Sequence, residues 1–320
     1  MLKPLLQDLE KPASAAQGSG IDRETYERMA QKENEIWGKL WTDEERLQII
    51  KEEKEAADTL ARDKGGLSLK KYLLDNGIEC ETGLSLACGE GRAEREFIKK
   101  GLCKRFDAID ISEKAVQRAK DQAREQRLPI NYSCVDLNFC QLEKNRYDLV
   151  IAQTCLHHIV ELEHLAEQIF KSLKPNGLLW VHDYIGESRF QYSDLRLKIA
   201  NSILAALPKE LKYSRLKKKH IERIGRGDPG KLCSPFEAIR SAEIIPVLLK
   251  RFEILEKFEN NSILRLVCQK GMRKNYLNHK DGQTIFDFLH SLDRALIDNG
   301  MLSPAGGQYI MRPRNIEKPV

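Results

Sequence analysis

The sequence predicts an α/β fold built around a doubly wound, mostly parallel β-sheet. Between residues 83 and 185, short apolar runs alternate with stretches of helical periodicity, the order that parallel sheets require. The predicted strands are 83–87, 106–111, 130–135, 147–152 and 178–184, and the predicted helices between them are 92–100, 113–126 and 162–173. Right-handed crossovers between such strands place a ligand at their carboxyl ends.

Composition indicates a soluble protein with a sizeable core. Of 320 residues, 41% are hydrophobic and 32% are charged, enough for one large domain with elaborations or two smaller ones. The longest apolar runs, such as 178–181, are far shorter than the roughly 20 residues that cross a bilayer, and the first eight residues contain an early acid and no secretory segment. We therefore expect a cytoplasmic location and no membrane span. The net charge of +5 does not by itself imply nucleic acid.

The eight cysteines are scattered without any Cys-x-x-Cys pair, and no histidine pair lies beside them at zinc-ligand spacing. They are predicted to be mostly buried free thiols. The sequence predicts no metal site.

Four segments are predicted along the chain. Residues 1–66 form a helical N-terminal extension or lid, and 67–187 the ligand-binding core. Residues 188–250 form a helical segment, and 251–320 contain the final strands and a C-terminal helix. Residues 1–20, rich in Pro, Ala, Ser and Gly, are predicted to be a loose lead-in.

The outer segments carry weaker patterns. Two or more helices are predicted over 22–64, packed on the core or over its cleft, and another helix begins at 67–74. The segment 188–250 has an apolar stripe, predicted to lie on one helix face: Leu195, Ile199, Ile203, Leu204 and Leu207. Runs 252–258 and 263–268, joined by Glu-Asn-Asn-Ser, are typical of a β-hairpin, and a last helix is predicted over 284–298.

The first strand enters the sequence Leu-Ser-Leu-Ala-Cys-Gly-Glu-Gly at 84–91, and a helix follows. Gly89 and Gly91 allow a sharp turn and close approach of the backbone to a ligand, beside the free amides of a helix N-terminus. An ordinary strand-to-helix turn explains this pattern equally well.

Two acids follow the next strands. Asp110 lies about 20 residues beyond the glycine turn, where nucleotide-binding sheets place a carboxylate on the ribose hydroxyls. A helix cap is the alternative, although Ser112 is the better cap. Asp136, after the third strand, can accept from an adenine amino group, or simply end a strand.

Further along, residues 147–159 end in Leu-His-His-Ile, and residues 173–177 read Leu-Lys-Pro-Asn-Gly. With the glycine turn, Asp110 and Asp136, this set resembles the class I S-adenosylmethionine-dependent methyltransferases, nearest to the group that includes quinone-biosynthesis and small-molecule enzymes. The resemblance covers residues 80–185, about a third of the chain.

The resemblance implies a seven-stranded sheet with antiparallel last strands. It also makes 188–250 an insertion between strands five and six, which in the family usually shapes the acceptor pocket. It also implies an S-adenosyl-L-methionine site. Asp110 would hold the ribose, Asp136 and Leu137 the adenine, and the Gln153 carbonyl the ammonium group. The expected cofactor-binding set is completed by Ser85, Ala87, Gly89, Gly91 and Ile111.

This sequence departs from the family at two positions of the glycine turn. The family usually has an acid where Ser85 stands and glycine where Ala87 stands. The departure leaves open a rival function in another class, a cofactor-binding but inactive partner protein. The missing third glycine argues against a nicotinamide-dependent oxidoreductase.

The expected reaction is methyl transfer to an oxygen or nitrogen of a small-molecule or glycan-type acceptor. Because the methyl group of the cofactor is already activated, the main task of the protein is to align the acceptor and exclude water. The candidate catalytic residues at strand ends are His158, His182 and Tyr184, and the candidate acceptor contacts are His157, Asp183, Arg189, Gln191 and Arg240. Adjacent histidines point about 100° apart on a helix, so only one of the pair is expected to reach the acceptor.

Alternatives remain for these residues and for the partner. Each histidine is equally explained as a hydrogen-bonded core residue, and Arg240 as the partner of a nearby acid. A fainter similarity to methyltransferases associated with surface glycans rests on 183–191 and 237–243.

The basic run 212–226 predicts a solvated helix face, or contact with phosphate, nucleic acid or an anionic membrane. RNA methylation is the main enzymatic rival, but the segment after strand four lacks the Pro-Pro-aromatic and Pro-Cys signatures of base methylation.

Overall fold

Two long helices precede the sheet in the computed structural model, which describes residues 21–62 and 64–314. They are α1 (Arg23–Leu40) and α2 (Glu44–Leu60), and α3 (Leu69–Asp75) follows them. Asp22 and Asp43 cap α1 and α2 by accepting backbone N–H bonds. The predicted N-terminal helices are confirmed, whereas the expected lead-in 1–20 lies outside the described residues.

The core alternates strands and helices as the hydrophobic pattern predicts. In chain order it contains β1 (Thr82–Leu86), α4 (Arg92–Lys99), β2 (Arg105–Asp110), α5 (Glu113–Glu125), β3 (Ile130–Cys134), β4 (Tyr147–Gln153), α6 (Leu162–Ser172) and β5 (Leu173–Tyr184). Successive residues of β4 pack on opposite faces, Val150 in one core cluster and Ile151 in another, so helices cover both faces of the sheet.

The insertion contains much less helix than predicted. It consists of α7 (Asp194–Ala206), a two-stranded ribbon of β6 (Tyr213–Ser214) and β7 (Lys219–His220), and α8 (Ile244–Leu248), with irregular chain between them. Leu195, placed on the apolar stripe from the sequence, is 45% exposed, because α7 buries the neighbouring face that carries Arg196, Ala200 and Leu204.

The basic run 212–226 does not form a helix face either, because it contains the two strands of the ribbon. Most of its charges are neutralised by acids: Lys212 by Glu222, Arg215 by Glu52, Lys218 by Glu45 and Arg226 by Asp194.

The chain ends in β8 (Phe252–Asn260), α9 (Leu264–Val267), α10 (Arg273–Asn278), α11 (Gly282–Asp298) and β9 (Gly306–Pro313). The seven strands lie in the order β3-β2-β1-β4-β5-β9-β8, and of these β9 alone runs opposite to the rest, antiparallel to both β5 and β8. This confirms the predicted sheet. The described residues contain no helix with the length and apolar composition of a bilayer span.

One predicted strand is wrong. Residues 263–268 form α9 and its flanks, and the strand that pairs with β8 is β9. The buried Asp293 carboxylate on α11 accepts from the amides of Ile263 and Leu264 at 2.6 and 2.9 Å, and from the Ser262 hydroxyl at 2.9 Å. These bonds turn the chain away from the sheet, and an apolar run this short suits a buried helix as well as a strand.

A buried arginine joins the insertion to this C-terminal region. The Arg196 side chain is 2% exposed, forms an ion pair with Glu187 at 2.8 Å, and donates to the carbonyls of Ser262 and Ser303.

Substitution of Arg196 tests this link. Arg196→Met leaves all three acceptors without their partner and should lower the free energy of unfolding, measured by urea denaturation, by about 3 kcal/mol. Arg23→Met, which removes an exposed pair with Glu27, should leave it nearly unchanged. Equal effects of the two substitutions would contradict a structural role for Arg196.

Candidate functional site

The turn after β1 is shaped by backbone in the left-handed region. Gly89 has a φ of +55° and Gly91 a φ of +75°, and Gly91 begins α4. A Cβ on Gly91 would lie 2.2 Å from the Tyr132 hydroxyl, and one on Gly89 would lie 2.7 Å from the Trp41 ring. Both glycines are therefore required by conformation and by space.

Ala87 adopts the same left-handed region with a φ of +47°. This conformation is strained for any residue with a Cβ. The turn thus keeps a backbone that suits glycine, although this sequence has alanine there.

Relief of that strain is measurable. Ala87→Gly should raise the free energy of unfolding by about 0.5–1 kcal/mol, because the left-handed conformation no longer clashes with a Cβ. Ala295→Gly, at an exposed position inside α11, should lower it by a similar amount through the ordinary cost of glycine in a helix. Thermal or urea unfolding of both variants gives the sign of each change in unfolding free energy. Destabilisation by Ala87→Gly would contradict the inference that the backbone at Ala87 is strained.

Asp110 connects this turn to the end of β2. Its Oδ2 accepts the Gly89 amide and its Oδ1 accepts the Ser112 amide, each at 2.8 Å. Burial raises the pKa of this carboxyl, while the two amides and the nearby His158 oppose the shift. A carboxylate has about four lone-pair positions, so two remain for a ligand diol. Ser112, and not Asp110, caps α5, as the sequence favours.

A buried acid that the sequence analysis missed lies behind the turn. Glu94 on α4 is fully buried, and neither carboxylate oxygen has a hydrogen-bond partner among the described residues. The Ser85 side chain is close enough to lower its pKa, but burial dominates and raises that pKa to about 7. Glu94 therefore places a carboxyl beside Ser85, the position where the family usually has its acid.

The raised pKa of Glu94 makes stability depend on pH. The folded protein keeps the proton longer than the unfolded chain, so this stabilisation is complete below the ordinary pKa of 4.5 and is lost as the pH rises through about 7. A shift of this size corresponds to about 3 kcal/mol. Between pH 4.5 and 7.5, Glu94→Gln should lose less unfolding free energy than the unmodified chain. Glu96→Gln, on the exposed side of the same helix, should follow the unmodified chain, and identical profiles for all three proteins would contradict the assignment.

Asp136 lies after β3 under the N-terminal helix. Its Oδ1 accepts from the Asn138 amide and side chain, and its Oδ2 accepts the Tyr26 hydroxyl at 2.6 Å. Leu137 is buried and contributes to the core beneath the cleft, while Ile111 is half-buried. One acceptor position on Asp136 remains for a ligand.

Helices α1 and α2 meet the core at several points of this edge. Besides Tyr26 on Asp136 and Trp41 beside Gly89, Arg118 binds Glu90 of the turn and Glu44 of α2 at 2.9 and 2.8 Å. The N-terminal helices therefore lie over the carboxyl ends of the strands, one of the two placements that the sequence suggests.

The ends of β4 and β5 carry the polar residues of the predicted acceptor side. At the end of β4, the Gln153 carbonyl accepts the Thr154 hydroxyl at 2.7 Å. A short turn, Leu156–His158, follows, and the Nδ1 of His157 lies 2.5 Å from the Asp183 carboxylate. Asp183 also accepts the amides of Cys155 and Leu156, which fixes the turn against β5.

The two histidines do not point apart as expected from helix geometry. Their ring centroids are 4.2 Å apart, and both Nε2 atoms face Glu237, at 3.7 and 3.8 Å. The Nδ1 of His158 is bound by the buried Glu33 of α1 at 2.9 Å. Separate carboxylates behind the rings turn both imidazoles to the same side.

These charges also set the pKa values of the pair. Burial alone would lower the pKa of His157, but Asp183 and Glu237 raise it overall. The pKa of Asp183 is lowered although burial opposes this, because of His157 and the two amides. The pair is thus favoured in its charged form when nothing else is bound.

The other predicted acceptor residues have partners within the chain. Burial lowers the pKa of His182, whereas it raises that of Tyr184, whose hydroxyl donates to the Glu187 carbonyl at 3.0 Å. Arg189 donates to the carbonyls of Pro235 and Glu237 and so holds the segment that carries Glu237.

Two of the candidate contacts are tied to neighbouring chain. The Gln191 side chain donates to the carbonyls of Arg189 and Gly227. Arg240 pairs with Glu163 and Glu243, which is the alternative considered for it from the sequence.

Three carboxylates of the site were missed from the sequence: Glu33, Glu94 and Glu237. Glu33 and Glu94 lie in strongly charged helices, where an acid is ordinarily solvated, and Glu237 lies in irregular chain. Nothing in their local spacing distinguishes them, since each acquires its role from a residue distant in sequence.

Comparison with known proteins gives consistent matches in the core. The family model described as a methyltransferase domain matches residues 84–177. A ubiquinone biosynthesis O-methyltransferase of Coxiella burnetii is 28% identical over 97 residues, covering 30% of this chain and 41% of that protein. A malonyl-[acyl-carrier protein] O-methyltransferase of Acetivibrio thermocellus is 24% identical over 220 residues, covering 68% of this chain and 64% of that protein. The match to the Coxiella protein thus spans about two fifths of that relative's length.

Among solved structures, an S-adenosylmethionine-dependent methyltransferase from Mesorhizobium loti aligns with a TM-score of 0.39 and 15% identity, covering 73% of this chain and 91% of the other.

Proposed function

We propose that residues 84–177, which match the methyltransferase-domain model, bind S-adenosyl-L-methionine, and that the chain transfers the methyl group to an oxygen or nitrogen of a small-molecule or glycan-type acceptor. The cofactor carries the activated methyl group. The residues of this chain bind it, orient the acceptor and exclude water.

The observation that carries the proposal is the arrangement of Asp110 at the glycine turn. Its carboxylate is held by two amides and keeps two acceptor positions, which suits a ribose diol. The turn beside it has left-handed backbone and no side chain at Gly89 and Gly91, so that the methionine portion would meet main chain there. Asp136 and Leu137 border the adenine side, and Gln153 the ammonium side, of the same edge.

Glu94 supports cofactor binding despite the departure at Ser85. Its buried carboxyl has no hydrogen-bond partner among the described residues, and a cationic ammonium group nearby would favour its ionised form. We therefore include Glu94 in the proposed cofactor-binding set. The alternative of a cofactor-binding but inactive partner protein rested on Ser85 and Ala87. It is weakened because Glu94 supplies an acid beside the turn and because Ala87 adopts the conformation that glycine usually takes.

The acceptor side is assigned to the turn with His157 and His158. It follows β4 directly and is near enough to Asp110 for His158 to affect the pKa of that carboxyl. The relatives named above are O-methyltransferases of small or carrier-bound acceptors. The basic run is largely neutralised by acids of the chain, and we do not favour RNA as the acceptor.

Calorimetric titration with S-adenosylmethionine tests the cofactor site. Asp110→Asn should weaken binding at least about 100-fold, since hydrogen bonds to a charged group are each worth about 1.5–3 kcal/mol. Asp121→Asn, on the exposed side of α5, should bind like the unmodified chain. Glu94→Gln should also weaken binding, and unchanged affinity would remove Glu94 from the set. If the unmodified chain bound a nicotinamide dinucleotide in preference, the proposed function would fail.

The same proteins test the reaction. Formation of S-adenosylhomocysteine is measured with a panel of phenols, sugars, amines and a structured RNA, with Asp110→Asn as the inactive control. Turnover with a phenol or sugar that depends on Asp110 supports O-methylation of a small molecule or glycan. Turnover on RNA alone would replace that acceptor, and cofactor binding without any turnover would favour the inactive-partner function.

A further inference from the structure

Two imidazoles and a carboxylate converge at the end of β4. The donor atoms of His157, His158 and Glu237 all lie within 4.8 Å of one another, and these side chains are only 11–14% exposed. The histidines come from the turn after β4, whereas Glu237 comes from the insertion.

The far side of each imidazole is already bound. The Nδ1 of His157 lies 2.5 Å from Asp183, and the Nδ1 of His158 lies 2.9 Å from Glu33; both carboxylates are buried. A carboxylate behind an imidazole holds the proton on Nδ1 and directs the lone pair of Nε2 outwards. This is the arrangement that commonly supports histidine ligands of metal ions.

Neither Nε2 atom makes a direct hydrogen bond within the part of the chain that the structure describes. The Nε2 atoms are 3.7 and 3.8 Å from the two oxygens of Glu237, too far for an N–H···O bond. Two ligands of one tetrahedral zinc ion lie about 3.3–3.5 Å apart, given metal–ligand distances of about 2.0–2.2 Å. The observed spacing thus fits a shared ion after a small side-chain adjustment.

The donor set also indicates the kind of ion. Two imidazoles and one carboxylate suit zinc and not the oxygen-seeking magnesium or calcium, and zinc sites with three such protein ligands keep a fourth position open. The Cys233 thiol, on the same segment of the insertion, donates to Glu237 Oε2 and is not part of the cluster.

We propose that His157, His158 and Glu237 bind one divalent cation of the zinc class, with the fourth coordination position left open. The ion would fix the segment 233–237 of the insertion to the ends of β4 and β5, beside the cofactor edge. Asp183 and Glu33 act as positioning residues that orient the two imidazoles.

Zinc binding to the full chain tests the proposal without any measurement of activity. After chelator treatment, the unmodified protein should bind one equivalent of added Zn²⁺ in a competition titration and show a higher melting temperature. Glu237→Gln, which keeps the shape of the side chain, should weaken the binding at least about 100-fold, and His158→Asn should do the same. Cys134→Ser, which removes an exposed cysteine elsewhere, should bind like the unmodified chain.

Cobalt substitution tests the ligand set. Co²⁺ in the unmodified protein should give the visible bands of a four-coordinate site, Glu237→Gln should remove them, and Cys233→Ser should leave them in place. Absence of stoichiometric binding would overturn the proposal, as would equal binding by Glu237→Gln and the unmodified chain when circular dichroism shows both folded. Because S-adenosylmethionine titration is measured separately, failure here leaves the proposed methyl transfer standing.

Discussion

The bond between the Gly89 amide and the Asp110 carboxylate organises the edge of the sheet at which we propose that the cofactor binds. It links the turn after β1 to the end of β2, and the second oxygen of Asp110 reaches the start of α5. The turn that presents the Gly89 amide has left-handed backbone at positions 87, 89 and 91. The parallel order of the strands brings these groups together at one edge, where open α/β sheets ordinarily bind their ligands.

Charged side chains attach the outer segments to the core. Glu33 of α1 reaches His158, Arg118 of α5 joins the glycine turn to α2, and Arg196 ties the insertion to the C-terminal region. Glu33 and Arg196 are buried, so their links would be costly to break, whereas the pair of Arg118 with Glu44 is largely exposed and contributes less. The N-terminal helices therefore pack firmly against the edge at which the strands end.

The sequence was sufficient to predict the core and to place Gly89, Asp110 and Asp136 at one edge of the sheet. Strands β1 to β5 are continuous apolar runs with helices of clear period between them, and Gly89, Asp110 and Asp136 stand at their carboxyl ends, where the topology alone assigns them a common edge. Local patterns could not distinguish α9 from a strand, because the decision is made by Asp293, about 30 residues away. The same limit applies to Glu33 and Glu237. Their role depends on tertiary contact with the histidines after β4, and no spacing rule connects positions so far apart.

The departures from the family at Ser85 and Ala87 acquire a physical meaning from the neighbouring groups. Alanine is tolerated at 87 at the expense of backbone strain, while the path of the turn is preserved. The carboxyl missing at 85 is replaced in space by Glu94, one turn into the following helix, where burial leaves it poised between its two protonation states near neutral pH. An acid in that environment responds strongly to a nearby cation, since charge is little screened when water is excluded. Whether this turn can hold a cationic ligand therefore depends more on where a carboxylate lies in the structure than on the residue type at position 85.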